Sequence, residues 1–142
     1  MKIHKVTTGI IISVLLIMLL GTGRAEAAVN WYSEPDTPWD WADGSVCQIS
    51  GNTGSATLYS NYYFTNANAL SFYIESASGS NYTTMSVKFW KRTAYGKVLV
   101  DEFQVVPGGS ASKLYISITY TGIYFFEFSP CANFSGYCAK VY

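Results

Sequence analysis

Histidine is all but missing from this chain: the single one, His4, stands at the extreme N-terminus. Ser-His-Asp and Cys-His hydrolysis need an imidazole to move the proton, and the usual zinc hydrolases need it as a ligand. Long apolar runs are scarce as well. The one extended stretch covers residues 10–20, only 11 positions, whereas a bilayer-crossing helix needs about 20. It follows a basic start, Met1-Lys2-Ile3-His4-Lys5, and precedes Ala25-Glu26-Ala27. That order is the one expected of a cleaved secretory signal peptide, residues 1–27, which would carry His4 away. A lipid anchor would need a cysteine at the cut, and the first cysteine is Cys47. The protein is therefore expected outside the cell as residues 28–142, a length suited to one domain.

Charge is sparse, at 13% of residues. Loss of Lys2, Lys5, Arg24 and Glu26 with the signal leaves six basic against eight acidic side chains. Nucleic-acid binding, which relies on clustered Lys and Arg displacing counterions from phosphates, is excluded as the main activity. Glu34, Asp36, Asp40 and Asp43 gather near the new N-terminus, and Lys88, Lys91, Arg92 and Lys97 around one turn. Both groups read first as solvated surface.

Aromatic residues, by contrast, are abundant: 4 Trp, 12 Tyr and 8 Phe, all after residue 30. Such a composition favours strands. Two-residue alternation sets Leu70, Phe72 and Ile74 against Ser71, Tyr73 and Glu75, and Met85, Val87 and Phe89 against Ser86, Lys88 and Trp90. It also sets Leu114, Ile116, Ile118 and Tyr120 against Lys113, Tyr115, Ser117 and Thr119. Each run reads as a strand with one buried and one wet face. With the runs 46–50, 56–64, 97–106, 122–129 and 137–141, about eight strands are expected, separated by turn signals too short for helical crossovers. The fold class is all-β, an antiparallel two-sheet β-sandwich over residues 45–142. The run 97–106 changes phase near Asp101-Glu102, which a β-bulge would reconcile. Gly122 to Phe128 resembles the penultimate strand of many bacterial extracellular β-sandwich modules, a likeness of strand pattern that carries over no functional residue.

Residues 28–44 have no period and hold Trp31, Trp39 and Trp41 among Pro35, Pro38 and four acids. An extended arm is expected, its tryptophans either lying over an open end of the sandwich or contacting a ligand. Three cysteines allow three single pairs. A closing hairpin with Phe128 opposite Val141 and Glu127 diagonal to Lys140 favours a Cys131–Cys138 disulfide, leaving Cys47 as a buried free thiol. A three-cysteine metal site lacks a fourth soft ligand.

Asp36, Asp40 and Asp43 are weak calcium candidates, their spacing unlike an EF-hand loop. No cofactor is expected. Asn81-Tyr82-Thr83 and Asn133-Phe134-Ser135 match the glycosylation sequon, which is idle if the leader is bacterial, as its brevity suggests. Tyr59, Tyr73, Trp90 and Tyr115 fall on wet strand faces and, with Trp39 and Trp41, are the candidate ligand-binding residues, since flat rings stack on the apolar face of sugars. The expected function is non-catalytic binding of an extracellular glycan or protein partner. The alternatives are a secreted antagonistic protein (a bacteriocin or membrane-active toxin) or self-assembling surface protein, and a small glycan hydrolase working through two carboxylates.

Overall fold

The computed structural model describes residues 32–52, 54, 56–79, 81–129 and 133–142. The expected signal peptide, Trp31 and Cys131 lie outside them. Eight strands run in the order β1 (Val46–Asn52), β2 (Leu58–Tyr59), β3 (Ala69–Ser76), β4 (Met85–Thr93), β5 (Gly96–Val105), β6 (Ser110–Ser117), β7 (Ile123–Ser129) and β8 (Asn133–Lys140). Two antiparallel four-stranded sheets result, β1-β8-β3-β6 and β2-β7-β4-β5, with no helix among the described residues. The β-sandwich expected from the alternation is the fold observed.

The alternating positions explain the core. Leu70, Phe72 and Ile74 of β3 and Met85, Val87 and Phe89 of β4 all point between the sheets and are buried, as do Tyr124, Phe126 and Phe128 of β7. Phe126 is the hub, with its ring 4.7 Å from Phe89, 5.4 Å from Phe72 and 5.9 Å from Phe64. Stacked pairs Phe72–Phe103 at 4.8 Å and Phe128–Phe134 at 4.3 Å join one sheet to the other. The Gly-x-Tyr start of β7 has a local cause. The Tyr124 hydroxyl accepts the Thr119 N–H at 2.9 Å across the turn, and a Cβ on Gly122 would come within 2.4 Å of the same ring.

Two strands depart from simple alternation. In β5 the ladder slips where Phe89 and Trp90 meet Asp101 and Leu99, leaving Val100 as the extra residue, one position from the expected bulge. In β6 a second slip, opposite Ser71, breaks the phase that had placed Leu114 inward. Ile116 and Ile118 stay buried, but Leu114 is 87% exposed and Tyr120 51%.

The run 56–64 is not one strand. After Leu58–Tyr59 the chain lifts at Ser60 and rejoins β7 where Phe64 and Tyr124 exchange both backbone hydrogen bonds. Buried Ser60 fills the gap: its Oγ accepts the Phe126 N–H at 3.0 Å and donates to the Tyr62 carbonyl at 2.9 Å. Ser60→Ala strands that buried donor and is expected to cost about 1–3 kcal/mol in urea denaturation, whereas Ser60→Thr, which keeps the hydroxyl, costs less.

The closing hairpin does not form. β7 pairs with β2 and β4, and β8 pairs with β1 and β3 in the opposite sheet. Phe128 therefore faces Leu58 and Val87 instead of Val141, and Glu127 faces Tyr59 and Lys88 instead of approaching Lys140. The register argument for a Cys131–Cys138 disulfide falls with that hairpin, and Cys131 itself lies outside the described residues.

Candidate functional site

The six ligand-binding candidates do not share a face; the fold distributes them over four places. Trp39 and Trp41 sit at one end of the sandwich, Tyr59 and Trp90 on the outside of the β2-β7-β4-β5 sheet, Tyr73 on the outside of the other sheet, and Tyr115 on edge strand β6.

On the outer face of the first sheet the rings are already occupied. Phe125, facing outward on β7, is nevertheless fully buried. Tyr59 lies 6.1 Å from it, and Lys97 reaches over Trp90 at 4.6 Å, Tyr59 at 5.2 Å and Phe125 at 5.8 Å. Arg92 covers Phe125 at 5.3 Å, donates to the Pro35 carbonyl at 2.7 Å and pairs with Glu34 at 3.5 Å, so the arm closes over this face. Burial works against the Lys97 charge, but hydrogen bonds to Glu127 and Glu34 outweigh it and raise the ammonium above its ordinary value. Tyr59 and Trp90 are thus walls of a second small core. Lys97→Ala removes methylenes and cation–π contact together and is expected to cost about 2 kcal/mol. Lys97→Met keeps the stem and should cost under about 1 kcal/mol, a contrast that thermal denaturation of the two variants measures.

On the opposite outer face Tyr73 stacks on Tyr137 at 6.0 Å, and its hydroxyl donates to Glu75 at 2.8 Å. That hydrogen bond raises the phenol above its ordinary range. Tyr115 is 62% exposed, beside Leu114 on the rim.

The arm behaves differently. Pro38 forms a parallel bridge to Tyr63, with Trp39 N–H donating to the Tyr63 carbonyl at 2.9 Å and Tyr63 N–H to Thr37 at 3.0 Å. Proline at 38 removes one donor but leaves this bridge intact, because its flanking residues supply the hydrogen bonds. Both indoles are then fixed. Trp39 packs edge-on against Tyr62 at 5.3 Å and donates Nε1–H to Gly44 at 3.1 Å. Trp41 lies 6.0 Å from Phe64 and donates Nε1–H to Thr65 at 2.6 Å.

With their edges anchored, these rings line an open pocket of about 300 Å3 together with Pro38, Asp40, Asn66, Tyr120 and Lys140. Asn66 is held in the left-handed region, φ 57°, and its N–H donates to the Tyr120 carbonyl at 2.7 Å, which ties two walls of the pocket to each other. Three aromatic residues, an aspartate, an asparagine and a lysine thus line one pocket. A site of this kind offers flat apolar stacking and both donors and acceptors for hydroxyl groups.

The weak calcium candidates Asp36, Asp40 and Asp43 do not gather into a metal-holding group among the described residues. Asp36 accepts from Thr37 at 3.0 Å, Asp40 Oδ1 accepts the Ala42 N–H at 2.9 Å, and no group of three or more His, Cys, Asp or Glu among the described residues is placed to hold a metal. The carboxylates shape the turn after the arm. Sequence reasoning found Trp39 and Trp41 but missed Tyr120, Asn66 and Lys140. Tyr120 had been assigned to the inner face, and Lys140 reaches the pocket because β8 lies beside β1.

Compared with protein-family models and with curated proteins, the chain matches none. Solved structures similar to it include PirA, with TM-score 0.48 and 7% identity over 69% of this chain and 94% of that one. A Bacillus endospore appendage, from a family described as disulfide-linked pili, gives TM-score 0.46 and 14% identity over 68% and 86%. A family 6 carbohydrate-binding module gives TM-score 0.39 and 8% identity over 78% and 98%. Likeness at this level concerns the strand arrangement and transfers no function.

Proposed function

We propose that this is a secreted, non-catalytic β-sandwich protein that binds an extracellular glycan in the arm pocket. The observation that carries this reading is the convergence of Trp39, Trp41 and Tyr120 with Asp40, Asn66 and Lys140 at one end of the sandwich. The pocket lies at the small end of the usual ligand range, which favours a terminal sugar unit over a long chain lying along a groove. Hydrolysis of a glycosidic bond calls for two carboxylates flanking it, and among the described residues Asp40 is the one acid lining the pocket. Glu34 and Glu127 do approach each other elsewhere, but the Lys97 ammonium stands between them at 3.2 and 2.9 Å.

The test is retention of the protein on insoluble polysaccharides and isolated cell walls, followed by tryptophan fluorescence titration with fragments of whichever material holds it. Retention with a shift in emission is expected, because both indoles line the pocket. A protein that passes every polysaccharide and every wall preparation would sink the proposal.

A second reading, self-association, has its own observation. Among the described residues β5 and β6 are the unpaired edges on one side of the sandwich, and they expose Val98, Leu99, Val100, Leu114 and Tyr115 there. Such an edge offers backbone groups to another strand, though the Asp101–Lys113 ion pair across it works against open-ended stacking. Sedimentation at rising concentration decides: a single species of monomer mass throughout removes this reading.

A further inference from the structure

We propose that Cys47 and Cys138 form a disulfide that staples edge strand β1 to β8, with Cys131 left outside the link. Of the three pairings open to three cysteines, this is the one the described strands bring into register. Cys47 and Cys138 are direct register partners in the β1–β8 ladder, so both side chains point into the same core, and both are buried. The ladder position is also suitable. Lys140 N–H donates to the Ser45 carbonyl at 3.0 Å. Hydrogen-bonded and non-hydrogen-bonded pairs alternate along an antiparallel ladder, so Cys47 and Cys138, two residues further on, form another hydrogen-bonded pair. The Cα atoms of such a pair stand about 5.5 Å apart, in the middle of the range that disulfides span.

The bond forms by exchange with an external disulfide, such as oxidised glutathione or the disulfide of an oxidoreductase. The thiolate of one cysteine attacks that disulfide and releases one thiolate. The second cysteine then attacks the mixed disulfide and releases the other, so two protein thiols and one external disulfide become one protein disulfide and two external thiols. Burial suppresses both thiolates in the folded state, with Cys47 pushed up to about 12 and Cys138 raised as well, and Cys47 donates its proton to the Gln48 carbonyl at 3.6 Å. Exchange therefore proceeds while the sandwich is assembling or while β1 is peeled away. Among the described residues β1 has one in-sheet neighbour, whereas β8 is held on both sides, which makes Cys47 the sulfur that meets the oxidant first.

To test the linkage, the full chain is refolded from urea in mixed reduced and oxidised glutathione, and free thiols are blocked with iodoacetamide in denaturant. Chymotrypsin cuts after Phe134 and Tyr137 and so separates Cys131 from Cys138 before mass spectrometry without reduction. A Cys47 peptide joined to a Cys138 peptide is expected, and it persists in Cys131→Ser. Cys131 joined to either of the others, or both Cys47 and Cys138 recovered alkylated, overturns the proposal. The readout does not involve the pocket, so its failure leaves the glycan reading standing, and the reverse also holds.

Discussion

Reduction of the Cys47–Cys138 link is expected to lower the unfolding free energy by about 4–5 kcal/mol, the chain-entropy value for a closed loop of this length. The loop is long because the partners lie near opposite ends of the sandwich-forming sequence, so the link removes many open conformations from the unfolded chain. It also acts close to the pocket. Gly44, whose carbonyl orients Trp39, comes three residues before Cys47, and Lys140 follows Cys138 by two. Guanidinium denaturation with and without reductant measures the effect. Equal midpoints for samples shown to be oxidised and reduced would count against a stabilising role.

The same comparison carries a pH signature. In the reduced protein burial pushes Cys47 from an ordinary value of 9.0 up to about 12, and burial together with the neighbouring Cys47 raises Cys138. A thiol whose folded value is raised stays protonated while its unfolded counterpart has already lost the proton. The unfolded state then binds fewer protons, and stability declines as pH climbs. For Cys47 this contribution is whole below about pH 8.5 and is lost on the way to pH 12, at about 1.4 kcal/mol per pH unit, and Cys138 acts in the same direction. The oxidised protein has no such thiols to titrate. The thiols are the groups by which the two forms differ, so the difference between reduced and oxidised stability should widen between pH 9 and 11.

Strands were legible wherever one face is buried against a partner sheet along the whole run. β3, β4 and β7 each bury three alternate apolar residues, and their period of two survives intact. β6 is an edge, and an edge tolerates a bulge, so Leu114 turned outward although its sequence is as regular as that of β4. The hairpin failed for another reason. Index arithmetic can align two strands, but it does not say that they are neighbours, and Phe128 and Phe134 satisfy their rings by stacking across the core instead of along one sheet. The register argument for pairing Cys131 with Cys138 inherited that error. The partner of Cys47 lies at the other end of the chain, where no local pattern points to it. The pocket was half visible for a similar reason: two tryptophans among prolines and acids mark an unusual arm, whereas Asn66, Tyr120 and Lys140 arrive from three separate places in the sequence.

Two substitutions in the pocket, Tyr120→Ala with Asp40→Asn, are expected to weaken glycan binding about a hundredfold, or about 2.7 kcal/mol. The choice of residues follows from the geometry. Trp39 and Trp41 pack against core rings, so their loss would confuse binding with folding. Tyr120 is half exposed, and removing its ring takes away one stacking wall at small cost to the core. Asp40→Asn keeps an oxygen for the Ala42 N–H and so preserves the turn, while it replaces a charged acceptor facing the pocket with a neutral amide. Charge-assisted hydrogen bonds are roughly twice as strong as neutral ones, so the single change should be felt even where the fold is untouched. Tyr73→Phe serves as the opposing control, since it strips the hydroxyl from the stacked tyrosine pair on the far face and leaves the pocket alone. Titration of the intrinsic tryptophan signal with the retained glycan fragment ranks the three proteins. Binding that survives the double substitution but collapses in Tyr73→Phe would move the site to the Tyr73–Tyr137 face. Loss in the double variant, with unchanged thermal stability, ties recognition to the end of the sandwich.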